Sequence, residues 1–333
     1  MWMYNLGPES DVAISTRVRV ARNIKDIKFP HIMTDEEAIY VKEKVQNAVK
    51  DKSELSYFEI KDLDDLTVMS LIEKHLISKE LVENDDLSAV IMSEDLSTCI
   101  MINEEDHLRI QKMLPGYDID SCYSAAAQID EDLEEKLNIA YSNNYGYLTA
   151  CSTNVGCAMR VSVMLHLPGL VETGYITPLI NEANNLGLSI RGIYGENTES
   201  IGDIFQISNQ NVLGTSEEDV ISKMKIVIAK IIEKERKSRE VIFNKDPNLE
   251  DEVYRSFGIL KYARSITAAE AHTLLSIVKM GVNLGIIKET TPEVLNKLII
   301  DINPFTLQLI KKEVLDDDER DRFRAKYIRE ELI

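Results

Sequence analysis

The stretch LSAVIMSEDLSTCIMIN (residues 87–103) holds two β-prone runs on either side of Ser93-Glu94-Asp95. Turn-forming residues between two such runs read as a hairpin, and a hairpin makes antiparallel neighbours. Upstream, VAISTRVRV (12–20) alternates with period two. A strand there puts Arg17 and Arg19 on one face and Val18 and Val20 on the other. Downstream, GYLTAC (146–151) and AMRVSVMLHL (158–167) read as strands joined by STNVG, and SIRGIYG (189–195) and DIFQISN (203–209) follow in the same style. Helical spacing of apolar residues appears at 36–49, 124–141, 177–188 and 216–242, the last opening on Ser216 and three acids that suit a helix N-terminus. Hairpin-linked strands with unevenly placed helices predict an α+β fold, a mainly antiparallel sheet flanked by helices.

The pattern changes near FNKDPNLEDE (243–252), beyond which β-rich runs stop. TAAEAHTLLSIVKMGVNLG (267–285) carries a Thr267…Glu270 capping signal, TPEVLNKLI starts on Thr291-Pro292, and two more helical segments complete the chain. The expected division is a catalytic domain over 1–245 and a small all-helical domain over 252–333.

The 333 residues carry 57 acidic and 38 basic side chains, a net charge of −19. Such a chain repels nucleic-acid backbones and anionic lipid, so neither is expected as a partner, and basic proteins fit better. Cys99, Cys122, Cys151 and Cys157 form no CxxC pair, as in a reducing compartment. The start MWMYNLGPES lacks a signal-peptide pattern, and no run approaches the ~20 apolar residues of a membrane helix. A cytoplasmic protein is expected. The sequence contains no GxxxxGK[ST] loop, no HRD or DFG, no HExxH and no GxSxG. Walker-type ATPases, ordinary protein kinases, zinc proteases and serine hydrolases are thereby set aside.

What remains is a recurrence of arginines at strand ends: Arg17, Arg19, Arg109, Arg160 and Arg191. Each alone reads as a salt bridge or a snorkelling side chain. Converging, they would form a pocket for a polyanion such as a triphosphate, whose oxygens suit the guanidinium fork. Two acidic spots accompany them, Glu104-Glu105-Asp106 in NEEDHLRI (103–110) and Glu196 in RGIYGEN. A carboxylate pair can grip a guanidinium and accept its proton. Cys151 has two readings: a buried structural thiol, or a thiolate activated beside cations.

In order along the chain, STRVRVAR (15–22), EKHLIS (73–78), NEEDHLR (103–109), CSTNVGCAMRVSVMLHLP (151–168), RGIYGE (191–196) and QISNQNVLGTSEE (206–218) resemble the blocks of the phosphagen (ATP:guanido) kinases. Two features resemble the bacterial protein-arginine kinase branch. The arginine strand starts at residue 15, leaving no room for the helical N-terminal domain of the small-molecule enzymes, and RDRFRA (320–325) is similar to that branch's RDxxRA motif. The resemblance implies ATP-dependent phosphorylation of protein arginine side chains. Arg17, Arg19, Arg109, Arg160 and Arg191, with Ser15 and Thr16 of the same block, would bind ATP, and Mg²⁺ would be held through the nucleotide rather than by protein ligands. Glu105 and Glu196 would hold and deprotonate the guanidinium, with Cys151 the reactive cysteine beside it. Arg320, Asp321 and Arg324 would receive phosphoarginine as an allosteric activator. Clients would be basic regulators and unfolded chains in a stress response. The resemblance also implies a zinc-binding activator, a Clp-type protease and a homodimer.

The chain departs from the family at Ser152, where proline is usual, at Gly156-Cys157-Ala158 and at Gly195-Glu196-Asn197. Met164 stands where the small-molecule kinases carry a histidine against adenine. Two other functions remain open at this point: a small-molecule guanidino kinase, and a non-catalytic adaptor that reads phosphoarginine.

Overall fold

The structure is a computed structural model, and it describes residues 1–193, 200–210 and 212–332. In chain order the sheet half contains β1 (Ala13–Arg22), α1 (Asp35–Val49), β2 (Leu55–Glu59), α2 (Asp65–Glu73), α3 (Lys79–Glu83), β3 (Ala89–Ser93), β4 (Thr98–Ile102), β5 (Leu108–Pro115), α4 (Ile119–Glu134), β6 (Tyr141–Ser142), β7 (Gly146–Tyr147), β8 (Met159–His166), α5 (Pro168–Glu172), α6 (Ile176–Asn185), β9 (Leu188–Gly192), β10 (Ile204–Asn209) and α7 (Glu217–Lys245). Then come α8 (Leu249–Tyr262), α9 (Ala268–Asn283), α10 (Pro292–Asp301), α11 (Pro304–Lys311) and α12 (Asp317–Glu331). A short 3-10 turn, Trp2–Tyr4, precedes β1.

Eight strands form one sheet in the order β2-β3-β4-β5-β1-β8-β10-β9, and every pairing is antiparallel. The hairpin read from 87–103 is β3–β4, paired from Ala89 opposite Ile102 to Met92 opposite Cys99. Side-chain alternation sorts the two faces. Val18, Val20, Ile91, Ile100, Ile110, Val161 and Val163 turn toward α1, α4 and α7 and bury there with Val41, Val45, Ala126, Met224 and Ile228. Capping follows the sequence closely: Thr34, Ser216, Thr267 and Thr291 each accept the backbone N–H three residues on.

Two segments differ from expectation. The helix predicted over 124–141 is α4, which starts earlier because Asp118 caps it, accepting from Ser121 N at 3.1 Å. It stops at Glu134 because the chain must turn to bring Ile139 beside Ile24. The strand predicted over 146–151 shrinks to β7. Beyond Tyr147 the ladder gives way: Leu148 N still donates to Ala140 O, but Leu148 O accepts from Asn23 and Ala150 N donates to Asp106.

The helices after α7 build a second core around Val253, Leu275, Val278, Leu295, Leu298 and Ile328. That core includes Ile14 and Ile204 of the sheet, so the helical part sits directly on the sheet's other face. Polar groups are buried along the same junction. His166 Nε2 lies 2.8 Å from Ser276 Oγ, which donates to Asp203 Oδ2 at 2.6 Å. Asp301, 1% exposed, accepts from Tyr4 Oη at 2.8 Å and Tyr327 Oη at 2.6 Å.

Candidate active site

Strand register decides where the arginines go. On β1, Ser15, Arg17 and Arg19 share a face; opposite them stand Met164, Ser162 and Arg160 of β8, and on the other side Met113 and Gln111 of β5 with Arg109 two residues further along. Gln206 of β10 faces Met164, and Arg191 of β9 faces Gln206. Residues directly opposite share a sheet face, so four strands, β1, β5, β8 and β9, deliver five arginines to one face.

Neutral groups aim several of them. Arg17 donates from Nε to Ser162 Oγ at 3.2 Å and from Nη2 to Gln206 Oε1 at 2.8 Å. Arg160 Nη2 donates to Ser208 Oγ at 3.1 Å. Arg191 is exposed at the sheet's edge. The cations also feel one another. Burial and then neighbouring Arg160 and Arg109 pull Arg17 down to about 10. Burial, followed by Arg17, Arg109 and Arg160, takes Arg19 well below its ordinary value. Burial and then Arg191 and Arg109 lower Arg160. Crowded guanidinium groups stay protonated, so the crowding is a stored repulsion that a bound polyanion relieves. Ser15 lies on this face. Thr16 does not: strand parity turns it to the opposite side, fully buried, where its hydroxyl donates to Gly116 O at 2.8 Å and accepts Asp118 N at 3.1 Å. The expectation that Thr16 binds the nucleotide is corrected accordingly, for it anchors the entry to α4.

The NEEDHLR turn supplies the acid. Asn103 adopts φ +60°, a left-handed conformation that asparagine tolerates, and its N–H and side chain close the turn onto His107 O, Ala38 O and Leu87 O. The three acids then separate. Glu104 is 8% exposed; its Oε1 accepts Arg109 Nη1 at 2.5 Å and Ser78 Oγ at 2.6 Å, and its Oε2 accepts Glu105 N at 2.8 Å. Asp106, 1% exposed, accepts Asn23 Nδ2 at 2.6 Å and Ala150 N at 2.7 Å. Only Glu105 is open, with Arg109 Nη2 at 3.3 Å. Burial raises the Glu105 carboxyl above the usual glutamate range, and Arg109 and, least of all, the nearby Cys151 thiol oppose the rise. Cys151 is half-buried, with Sγ 3.0 Å from Thr153 Oγ1.

Glu196 and Asn197 lie outside the described residues. At the far end of the chain, Arg320 and Asp321 reach the surface of α12, and Arg320 Nη2 donates to Asp317 Oδ1 at 2.5 Å. Arg324 is 1% exposed and donates from Nε to Ile302 O and from Nη1 to Ile266 O, both at 2.9 Å, and to Asp321. It holds α12 to the segments before α9 and α11. Among the described residues no group of three or more His, Cys, Asp or Glu side chains could hold a metal ion. None of their helices is long and apolar enough to cross a membrane.

Residues 38–238 match the family described as ATP:guanido phosphotransferase, C-terminal catalytic domain. The chain belongs to that family. This phosphotransferase also matches, over 246–333, the family described as Protein-arginine kinase McsB C-terminal domain. Its curated relatives include proteins named Protein-arginine kinase from Brevibacillus brevis, 44% identical over 99% of this chain and 94% of the relative, and from Bacillus subtilis, 42% identical over 99% and 93%. Among solved structures, the duplicated taurocyamine kinase of Schistosoma mansoni with transition-state-analogue components superposes with a TM-score of 0.63 at 28% identity, covering 70% of this chain and 34% of that one. A lombricine kinase superposes with a TM-score of 0.61 at 24% identity, covering 68% and 67%, and shares the fold.

Sequence reasoning missed the groups that aim the phosphotransferase's arginines. Ser162, Ser208 and Gln206 are neutral residues in β-strands, and only parity with Arg160 and register with Arg17 singles them out. Asn23, which ties NEEDHLR to the Cys151 loop, carries no local signal at all.

Proposed function

We propose that the protein transfers the γ-phosphoryl group of ATP to arginine side chains of other proteins. The observation that carries this is the arginine face itself, with Glu105 and Cys151 set at its edge beside Arg109. Anion clamp and cation grip adjoin, as a reaction joining a phosphate to a guanidinium requires. Relatives named protein-arginine kinase, aligned along almost the whole of both chains, support a protein rather than a small-molecule acceptor.

A guanidinium with a pKa above ~12 is not nucleophilic at neutral pH. Glu105, with Glu196 assigned the same part by family resemblance, localises the cation's charge and aims one nitrogen in line with phosphorus. As the N–P bond forms and the P–O bond to ADP breaks, the attacking nitrogen's proton goes to a Glu105 oxygen. The raised carboxyl pKa suits it to accept that proton. Arg17, Arg19, Arg109, Arg160 and Arg191 hold the phosphates and balance the anionic charge of the loose transition state. Mg²⁺, held through the nucleotide rather than by protein ligands, would supply neutralisation of the phosphate charge there.

Phosphoarginine bound at Arg320 and Asp321 activates the enzyme in this reading, with Arg324 fixing the helix that presents them. Incubation with ATP, Mg²⁺ and either a basic protein or free arginine tests the assignment. Acid-labile phosphate on the protein is expected. Label on free arginine alone would make this a small-molecule kinase, and label on neither would make it an adaptor.

A further inference from the structure

The residues EKHLIS (73–78) run from the end of α2 to the start of α3, and their two ends are bonded to different parts of the molecule. At the near end is Glu73. The helix α11 opens on Pro304, so its first backbone donors are the N–H groups of Phe305 and Thr306. Asn303, in the capping position, does not serve them; its side chain turns to Ile299 O, Ile300 O and His272. Glu73 serves them from the sheet half, its carboxylate accepting Phe305 N at 3.0 Å and Thr306 N at 2.8 Å. A carboxylate there satisfies orphan donors and meets the positive end of the helix dipole. Beside it, Ser70 Oγ lies 3.0 Å from Thr306 Oγ1. The start of α11 is itself held, since Arg324 Nε of α12 donates to Ile302 O just ahead of it at 2.9 Å.

The middle of the segment is pinned beside the arginine face. His75 takes φ +57°, a left-handed conformation that a side chain of this size seldom adopts without support. Gln111, which stands opposite Arg19, donates from Nε2 to His75 O at 2.9 Å, and Cys99 Sγ donates to Leu76 O at 3.0 Å. At the far end Ser78 gives its one hydroxyl proton to Glu104 Oε1 at 2.6 Å, while its oxygen accepts Leu81 N at 3.3 Å. The same Glu104 oxygen holds Arg109 Nη1. A chain of direct contacts therefore runs from the first turn of α11 to an arginine of the clamp. We infer that Glu73 is a positioning residue for the transfer reaction: by capping α11 it fixes EKHLIS against the helical part, and through Ser78 and Glu104 it sets Arg109 in place. This rests on the reading of Arg109 as a phosphate ligand. Glu73 acts only through the segment that it anchors.

Kinetics on the full chain separate positioning from support of the fold. Glu73→Ala removes the cap and leaves every clamp arginine in the chain. The expected result is a kcat for phosphorylation of a basic protein roughly 10- to 10²-fold lower, the cost of a misplacement of up to about an ångström, with the ATP Kd changed less than about twofold. Glu73→Gln keeps an oxygen for Thr306 N and should retain most of the rate. Ser78→Ala cuts the route at its other end and should lower kcat to the same extent. The double variant should be no slower than the slower single one, because the two residues act in series. Tyr4→Phe removes a different bond between the sheet half and the helical part, that to Asp301, and should leave kcat unchanged. An unchanged kcat in Glu73→Ala, a Gln variant as slow as the Ala one, losses that multiply in the double variant, or an equal loss in Tyr4→Phe would each overturn the inference. Should Glu73→Ala not fold, Ser78→Ala decides alone, and an unchanged kcat there overturns the route. Arg109→Ala checks the premise separately. It weakens ATP binding or lowers kcat if Arg109 holds phosphate, and if it does neither, the phosphate reading of Arg109 fails and takes the Glu73 role with it.

Discussion

At the scale of single residues, the NEEDHLR turn divides three acids by what they touch. Glu104 spends both oxygens on Arg109, Ser78 and its own turn, and so orients a clamp arginine. Asp106 spends Oδ1 on the loop leading to Cys151. Glu105 alone faces outward, and it makes the sharpest prediction. Glu105→Gln keeps size and hydrogen-bonding reach but cannot take a proton. It should lower kcat by about 10²- to 10⁴-fold, the usual worth of a general base, and leave the ATP dissociation constant unchanged. Near-normal kcat would remove Glu105 from the chemistry. The pH dependence follows from the same group. Its carboxyl pKa is raised from 4.5 by burial, and the working form is ionised, so activity disappears as pH falls through that raised value. The acid limb of kcat/KM should therefore lie above 4.5 in the wild type. A limb at or below the ordinary glutamate range would mean that a different group carries it.

At the scale of elements, the site depends on how loops are pinned. Asp106, just ahead of the strand that carries Arg109, fixes Ala150 N, and Asn23 ties Asp106 to the end of β1. Asp106→Ala should release the 149–158 loop and move Cys151 relative to Glu105. A displacement of about an ångström costs roughly 10²-fold in rate, so kcat should fall by that order with KM for ATP little changed. An equal rise in KM would show that the loop serves nucleotide binding instead. A second pin is Glu235 on α7, fully buried, which accepts Gly169 N and Leu170 N of α5 at 2.9 Å and Arg239 Nε at 2.5 Å. Glu235→Ala leaves Arg239 without its carboxylate and two helix N–H groups without an acceptor. It should cost about 3–5 kcal/mol in urea unfolding; a loss under ~1 kcal/mol would mean water replaces the carboxylate. Much at this scale was readable in advance. The caps at Thr34, Ser216 and Thr291 are local, and so is the parity of β1. That parity stood against the expectation, drawn from the family block, that Thr16 binds the nucleotide, and the structure follows the parity. The convergence of five arginines was not readable, because register joins strands more than a hundred residues apart: Arg17 pairs with Ser162 and Arg19 with Arg160. Nor was the packing of the C-terminal helices on the sheet, which draws Ile14 and Ile204 into their core.

At the scale of the whole molecule, charge is segregated. The chain carries a net −19, yet the reactive face gathers Arg17, Arg19, Arg109, Arg160 and Arg191 around few carboxylates. On the proposed function, the two substrates meet these fields differently. The nucleotide ends its approach in a half-buried cationic pocket, where contacts at a few ångströms are weakly screened. A protein acceptor approaches over tens of ångströms and feels the summed negative potential, which draws basic chains inward. The Debye length is about 10 Å at 0.1 M salt and about 3 Å at 1 M, so salt removes the long-range attraction first. Raising NaCl from about 50 to 300 mM should increase KM for a basic protein several-fold, chiefly through slower association. KM for ATP, measured at saturating protein, should change much less. A neutral peptide carrying one arginine should show little of the salt effect, because it offers no excess charge to steer. If the basic protein and the neutral peptide respond to salt alike, the acid surface does not recruit clients and serves solubility alone. Recognition would then rest on the few ångströms around Glu105.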